Sequence, residues 1–227
     1  MSKQQKFFFV AVFAVLGLIA LQIPVAKLAG SKTAFTLFDM FGPIAGGFLG
    51  SALGIIAVAL MQVANFLLHG AQAVDAGTFI RMVPMLFATL YFAKRRTINW
   101  IIPILAIISF LSDPIGRSAW YYSLFWLIPM ICYFFQERSL IARSLGATFM
   151  AHAVGGAIWI HTFHLSKAVW TGLIPVVIAE RLLFAAGIAV MYVLFNNVLA
   201  LVARKVPRVA PLVNPHYTFI SPSNSLL

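Results

Sequence analysis

"FDMFGPIAGGFLGSALG", Phe38 to Gly54, sets a glycine at every fourth position: Gly42, Gly46, Gly50 and Gly54. Each glycine inside a helix costs about 0.5–1 kcal/mol relative to alanine, because a freer backbone must be ordered. In water such a stretch reads as a loop. The rest of the chain takes the water away. Of 227 residues, 62% are hydrophobic and 9% charged, and the mean hydropathy is +0.98. Soluble domains lie near about 45–50% apolar and about 25% charged. Five acidic residues cannot solvate the surface of a soluble domain of this size. The expected fold class is all-α, a polytopic integral membrane bundle of six or seven transmembrane helices.

In lipid, apolar helices gain nothing by hiding from apolar tails, so close backbone packing drives their association, and small residues four apart permit it. Residues 42–68 therefore read as one helix whose glycines form a packing seam. The seam drifts about 40° per step and runs toward Gln62, Asn65 and His69, a polar patch at its far end. Gly50→Leu is expected to disrupt the bundle by filling the seam. Asp39 reads as a cap for that helix.

The apolar runs cover 7–29, 42–68, 78–93, 98–112, 119–135, 140–163 and 174–203. The third and fourth are short for a bilayer, which needs about 20 residues per helix, so one of them can be re-entrant and the count is six or seven. Residues 1–205 read as a single transmembrane domain. The remainder, "VPRVAPLVNPHYTFISPSNSLL" (206–227), has four prolines and reads as a flexible or surface-lying tail. With seven spans, Lys27, Lys32, Lys94, Arg95, Arg96, Arg138, Arg143, Arg204, Lys205 and Arg208 share one side, and Lys3, Lys6, Arg81, Arg117 and Lys167 the other. The positive-inside rule then puts the C-terminus in the cytoplasm and the N-terminus outside, in the cell membrane; six spans would put both inside.

The net charge of +11 is spread over short loops, which suits membrane lipids and offers no basic face with interleaved aromatics for nucleic acid. The single cysteine, Cys132, excludes an intrachain disulfide. No GxxxxGK[ST] occurs, so the chain has no P-loop for ATP, and uphill work would need an ion gradient or a partner.

Chemistry-bearing residues are few. "AHAVGGAIWIHTFHL" (151–165) holds His152, His161 and His164. On an ideal helix His152 and His161 project about 180° apart, so the segment is no single-helix chelate, and no metal or cofactor is assigned. His152 shares a face with Gly155, Gly156 and Trp159, a notch beside an aromatic wall that suits a flat ligand. Glu180 and Arg181 are the costliest residues at membrane depth; consecutive residues diverge by about 100° and pair poorly, whereas Glu180 can reach His161. Trp120, Tyr121, Tyr122 and Trp126 form an aromatic belt or, with Asp113 and Arg117, a cage at a ligand mouth. The candidate substrate-binding set is Asn65, Trp120, Tyr121, His152, Trp159, His161, Glu180 and Arg181.

"FGPIAGGFLGSALGII" (41–56) resembles the GPxxGxxxG helix start of substrate-capture (S) components of energy-coupling-factor transporters, and "LIPVVIAERLLFAAGIAVMYVLFN" (173–196) is similar in texture to their last helix. The resemblance implies a non-enzymatic membrane subunit that binds a small organic micronutrient, with a transmembrane coupling subunit and ATPases as partners. Two features depart from it. The alanine-xxx-alanine contact of the first helix is missing, since Val15 follows Ala11 and Leu18 follows Ala14, and the usual span count is six. The alternative is a membrane-embedded metal-dependent enzyme using His152, His161 and His164 with Glu180.

Overall fold

The computed structural model describes residues 3–27, 34–68 and 76–219. The chain is mostly helical: α1 (Lys3–Leu21), a ribbon of β1 (Pro24–Lys27) and β2 (Ala34–Thr36), α2 (Phe38–Phe41), α3 (Ile44–Leu49), α4 (Ser51–Leu68), α5 (Ala76–Ala93), α6 (Ile98–Ser112), α7 (Pro114–Ser118), a 3₁₀ segment Trp120–Trp126, α8 (Leu127–Tyr133), α9 (Leu140–Phe163) and α10 (Lys167–Lys205). The antiparallel ribbon pairs Pro24 with Thr36 and Lys27 with Ala34. It falls where the first apolar run was expected to stay helical to residue 29.

The glycine stretch corrects the expectation of one helix from 42 to 68. The chain reverses at Gly50, whose φ of 78° and ψ of 176° lie in a region essentially reserved for glycine. Gly46 and Gly54, four residues before and after the break, then meet face to face. A Cβ on Gly54 would lie 2.8 Å from the Gly46 Cα. Gly46 is pressed on its other side by the backbone of Thr89 and Ala93 on α5, and Gly42 sits against Met85 and Phe38. The periodic glycines are thus a hairpin with a tight seam. Nothing surrounds a Cβ at Gly50, so its substitution is opposed by backbone conformation, where crowding was expected.

That reversal changes the path through the bundle. Gly17 faces Met61, and Gln22 Nε2 donates to Asn65 Oδ1 at 2.7 Å, so α1 and α4 run parallel. Gln62 donates to the Met82 carbonyl across the antiparallel α4–α5 pair. The start of α1 and the end of α10 consequently lie at one end of the bundle, as an even number of spans places them and the seven-span alternative does not. Lys94, Arg95, Arg96, Arg138, Arg143, Arg204 and Lys205 gather at that same end, while Lys27, Arg117 and Lys167 lie at the other.

Helix α9 is the hub, packed against α5, α6, α8 and α10. Its small residues permit this: Gly146 receives the Tyr91 ring, and a Cβ on Gly156 would come within 2.6 Å of the Trp126 indole. At the basic end the last carbonyls of α5 are closed by side chains. Arg143 Nε donates to the Phe92 carbonyl and Nη2 to that of Ala93 at 3.0 Å, while Gln136 donates to the Tyr91 carbonyl. A cation there also answers the negative end of the helix dipole. Arg143→Met leaves the Phe92 and Ala93 carbonyls without their side-chain donor, so it is expected to destabilise by about 1–3 kcal/mol, read as a lower Tm in detergent.

Outward faces are apolar. Leu53, Ile56, Leu60, Val63 and Leu67 line the outside of α4 at helical spacing, and Ile98, Ile101, Leu105 and Ile108 that of α6. Soluble helices show the reverse pattern. Two helices, Ser51–Leu68 and Lys167–Lys205, are long and apolar enough to cross a membrane, and only about a quarter of each apolar window is buried (22% and 28%). A soluble core helix would be mostly covered.

The stretch after Lys205, expected to be a tail, is held over its described part. Asn196 exchanges hydrogen bonds with the backbone of Asn214 (2.7 and 2.9 Å), and Asn197 does so with Tyr217 and Phe219. Two asparagines on the last helix thereby tie residues 214–219 back along α10.

Candidate functional site

At the end away from the arginine-rich loops, the bundle encloses a cavity of about 460 Å³, lined by α2, α4, α5, α9, α10, the 3₁₀ segment and the β-ribbon. Its aromatic walls are Phe35, Phe38, Phe66, Tyr122, Trp159 and Trp170. Asp39, Gln62, Asn65, His152, Glu180 and Arg181 supply the polar groups. An apolar chamber with few polar groups is the usual build of a small-molecule site.

The notch read from α9 lies on this cavity: His152, Gly155, Gly156 and Trp159 all line it. Trp159 packs on Phe163, ring centroids 4.2 Å apart, and presents its other side to the chamber. His152 has both ring nitrogens engaged. Trp126 Nε1, which can only donate, contacts Nδ1 at 3.2 Å, and Tyr122 Oη lies 3.0 Å from Nε2. The indole therefore requires a lone pair on Nδ1, so the proton sits on Nε2 and is donated to the tyrosine oxygen. The Tyr122 hydroxyl proton remains to be donated into the cavity.

Glu180 and Arg181 also line the chamber, but their pairing differs from expectation. They pair with each other, Arg181 Nη2 to Glu180 Oε2 at 3.5 Å, because the long guanidinium stem folds back along the helix. His161 is instead on Ser109, 3.2 Å from its hydroxyl and 3.0 Å from its carbonyl, outside the cavity. Arg181 is buried (6% exposed) and lies against the paired rings of Phe35 and Phe184, 4.9 and 4.8 Å from their centroids, which are themselves 5.1 Å apart on one side of it. Its Nη1 reaches Thr148 Oγ1 at 3.5 Å, and its Nε has no hydrogen-bond partner among the described residues.

Trp120 and Tyr121 do not reach the cavity. Trp120 is exposed, and Tyr121 bonds Thr171 on α10 at 2.6 Å. Their neighbour Tyr122 lines the chamber. In a 3₁₀ segment consecutive residues point about 120° apart, so a run of aromatics does not reveal which one turns inward. Asp113 caps α7, accepting from the Ile115 and Gly116 amides, and Arg117 donates to the Ser112 carbonyl; neither joins a cage. Asp39 caps no glycine helix: its Oδ2 accepts from the Thr36 amide at 2.8 Å, pinning β2 to α2. His69 lies outside the described residues.

The three histidines of α9 diverge. His152 faces the chamber, His161 faces α6, and His164 ends the helix in a left-handed turn (φ 45°). Among the described residues no three histidine, cysteine or acidic side chains converge as a metal site would require.

The chain matches no family model, no curated protein and no solved structure. The site is therefore argued from its own geometry.

Proposed function

We propose that this chain is a polytopic membrane protein that captures a small organic solute stoichiometrically, as the binding subunit of an uptake system driven by a separate ATPase module. The observation that carries the reading is the aromatic-walled chamber with a polar cluster at its inner edge, set in a bundle whose outer faces are apolar. The sequence has no P-loop motif, so uphill work needs an ion gradient or a partner; the capture reading takes the partner. The resemblance of residues 41–56 to substrate-capture components points the same way.

In this reading the bundle spans the bilayer, the arginine-rich end faces the cytoplasm by the positive-inside rule, and the chamber opens outward. Both termini are then cytoplasmic, because the Gly50 reversal makes the number of traverses even. Topology is tested by labelling. In a Cys132→Ser background, Arg117→Cys should react with a membrane-impermeant maleimide on intact cells, and Arg96→Cys only after lysis. The same side for both would refute a spanning bundle. Function is tested by calorimetry on the purified chain in nanodiscs, where one solute should bind per protein without nucleotide. A requirement for ATP or for added zinc would count against capture and favour an enzyme.

A further inference from the structure

The two connections at the arginine-rich end form one surface, and we propose that it binds the headgroup of an anionic phospholipid in the cytoplasmic leaflet; this rests on the membrane-spanning part of the reading above. The α5–α6 connection (94–97) carries Lys94, Arg95 and Arg96, and the α8–α9 connection (134–139) carries Glu137 and Arg138. Four cations and one carboxylate leave a net charge of +3. Buried amides hold the two connections side by side. Asn99 Nδ2 donates to the Lys94 carbonyl at 3.0 Å and to Gln136 Oε1 at 3.3 Å, and Gln136 in turn donates to the Tyr91 carbonyl. These polar fasteners are turned inward. All four cations are exposed, and among the described residues none of them enters an ion pair. Charges of one sign gathered in this way repel one another, and an external anion relieves the repulsion.

Two further features favour a lipid over a soluble acidic partner. The first is depth. Helix α6 has 15 residues, about 22 Å at 1.5 Å per residue, against about 30 Å of hydrocarbon. A span that short thins the bilayer around it, which sets Lys94, Arg95 and Arg96 at headgroup level. The second is apolar surface beside the charge. Phe134 and Phe135 are exposed within the α8–α9 connection itself, with Ile131 before them and Ile98 and Ile101 at the start of α6. Arg95 lies over the Tyr133 ring, 5.4 Å from its centroid and within cation–π range, so this guanidinium rests on aromatic surface. An acidic protein segment would leave the apolar shoulder bare, whereas a phospholipid has acyl chains to lay on it. Guanidinium groups suit the phosphate as well, because each can bond two of its oxygens at once.

The test is native mass spectrometry of the full chain released from nanodiscs that hold equal amounts of phosphatidylglycerol and phosphatidylethanolamine with matched acyl chains. The anionic lipid is expected to stay bound about twentyfold or more in excess of the zwitterionic one. Each cation removed should lower that preference about fivefold, so Arg95→Gln combined with Arg96→Gln brings the two lipids close to parity. Arg138→Gln, an independent check from the other connection, should lower it about fivefold by itself. Lys167→Gln, at the opposite end of the bundle, should leave the preference unchanged. Equal retention of the two lipids by the wild type, or a preference that Lys167→Gln lowers as far as the double variant does, would overturn the site while leaving the bundle spanning. Loss of the preference in millimolar inorganic phosphate would make this a site for free phosphate and overturn the lipid assignment too. A chain that stays in solution without detergent and does not enter nanodiscs would overturn the spanning reading along with it.

Discussion

Gly46→Leu is expected to abolish folding of the bundle, whereas Gly50→Ala yields folded protein with a lowered Tm. The two glycines sit in one stretch of sequence at one spacing, but different physics fixes each. A side chain at Gly46 would meet the Ala93 backbone nitrogen at 3.0 Å and come closer still to the Thr89 carbonyl oxygen, while Gly54, packed on the Gly46 backbone from the other helix, leaves α3 no room to back away. Backbone on both sides cannot swing aside as a flexible side chain can. The cost lies at or beyond the upper end of the about 1–3 kcal/mol typical of overpacking. At Gly50 there is open space, and the penalty is conformational, about 1–3 kcal/mol for a non-glycine residue at that φ and ψ. Asparagine would not relieve it, because its tolerated left-handed region has ψ near about 45°. The check is size-exclusion profile and Tm of both variants in the same detergent. Equal behaviour would mean that α3 and α4 do not pack through Gly46 and Gly54.

Trp159→Ala is the second large effect, and it falls on binding. The indole is half-buried, packed at a tilt against Phe163 and open to the chamber, so removing it strips a wall from the site while the helix around it keeps its contacts to α5 and α10. Losing an aromatic face is expected to weaken binding by about 1.5–3 kcal/mol, tenfold or more. Stability should move by no more than about 1 kcal/mol. Calorimetry and thermal unfolding on the same preparation separate the two. An unfolded variant would make Trp159 a core residue and remove it from the site.

How far the sequence carried is visible at these same positions. Helix α9 was legible because 3.6-residue periodicity puts His152, Gly155, Gly156 and Trp159 on one face, and that face lines the chamber. Arg181 and Glu180 were legible as costly groups, though their pairing was not: the projection angle of consecutive residues ignores how far a long arginine side chain can bend. The glycine period was visible, but it could not distinguish a continuous seam from a hairpin, because both place Gly46 and Gly54 on small-residue faces. Only tertiary packing against α5 selects the reversal. Phe35 and Asp39 were missed as cavity residues because they arrive with the β-ribbon and α2, whose position over the chamber depends on long-range contacts such as Phe35 with Phe184. Tyr122 had the right composition in the right segment, and local sequence gives no signal for which of three adjacent aromatics points inward.

The most direct measurement is native mass spectrometry of the wild-type chain and Trp159→Ala, purified in parallel and released gently, with the accompanying small molecule identified. The capture account predicts one organic molecule per wild-type protein and its loss or marked depletion in Trp159→Ala at unchanged fold. Wild-type protein carrying no small molecule, or the same molecule retained equally by both, would contradict it.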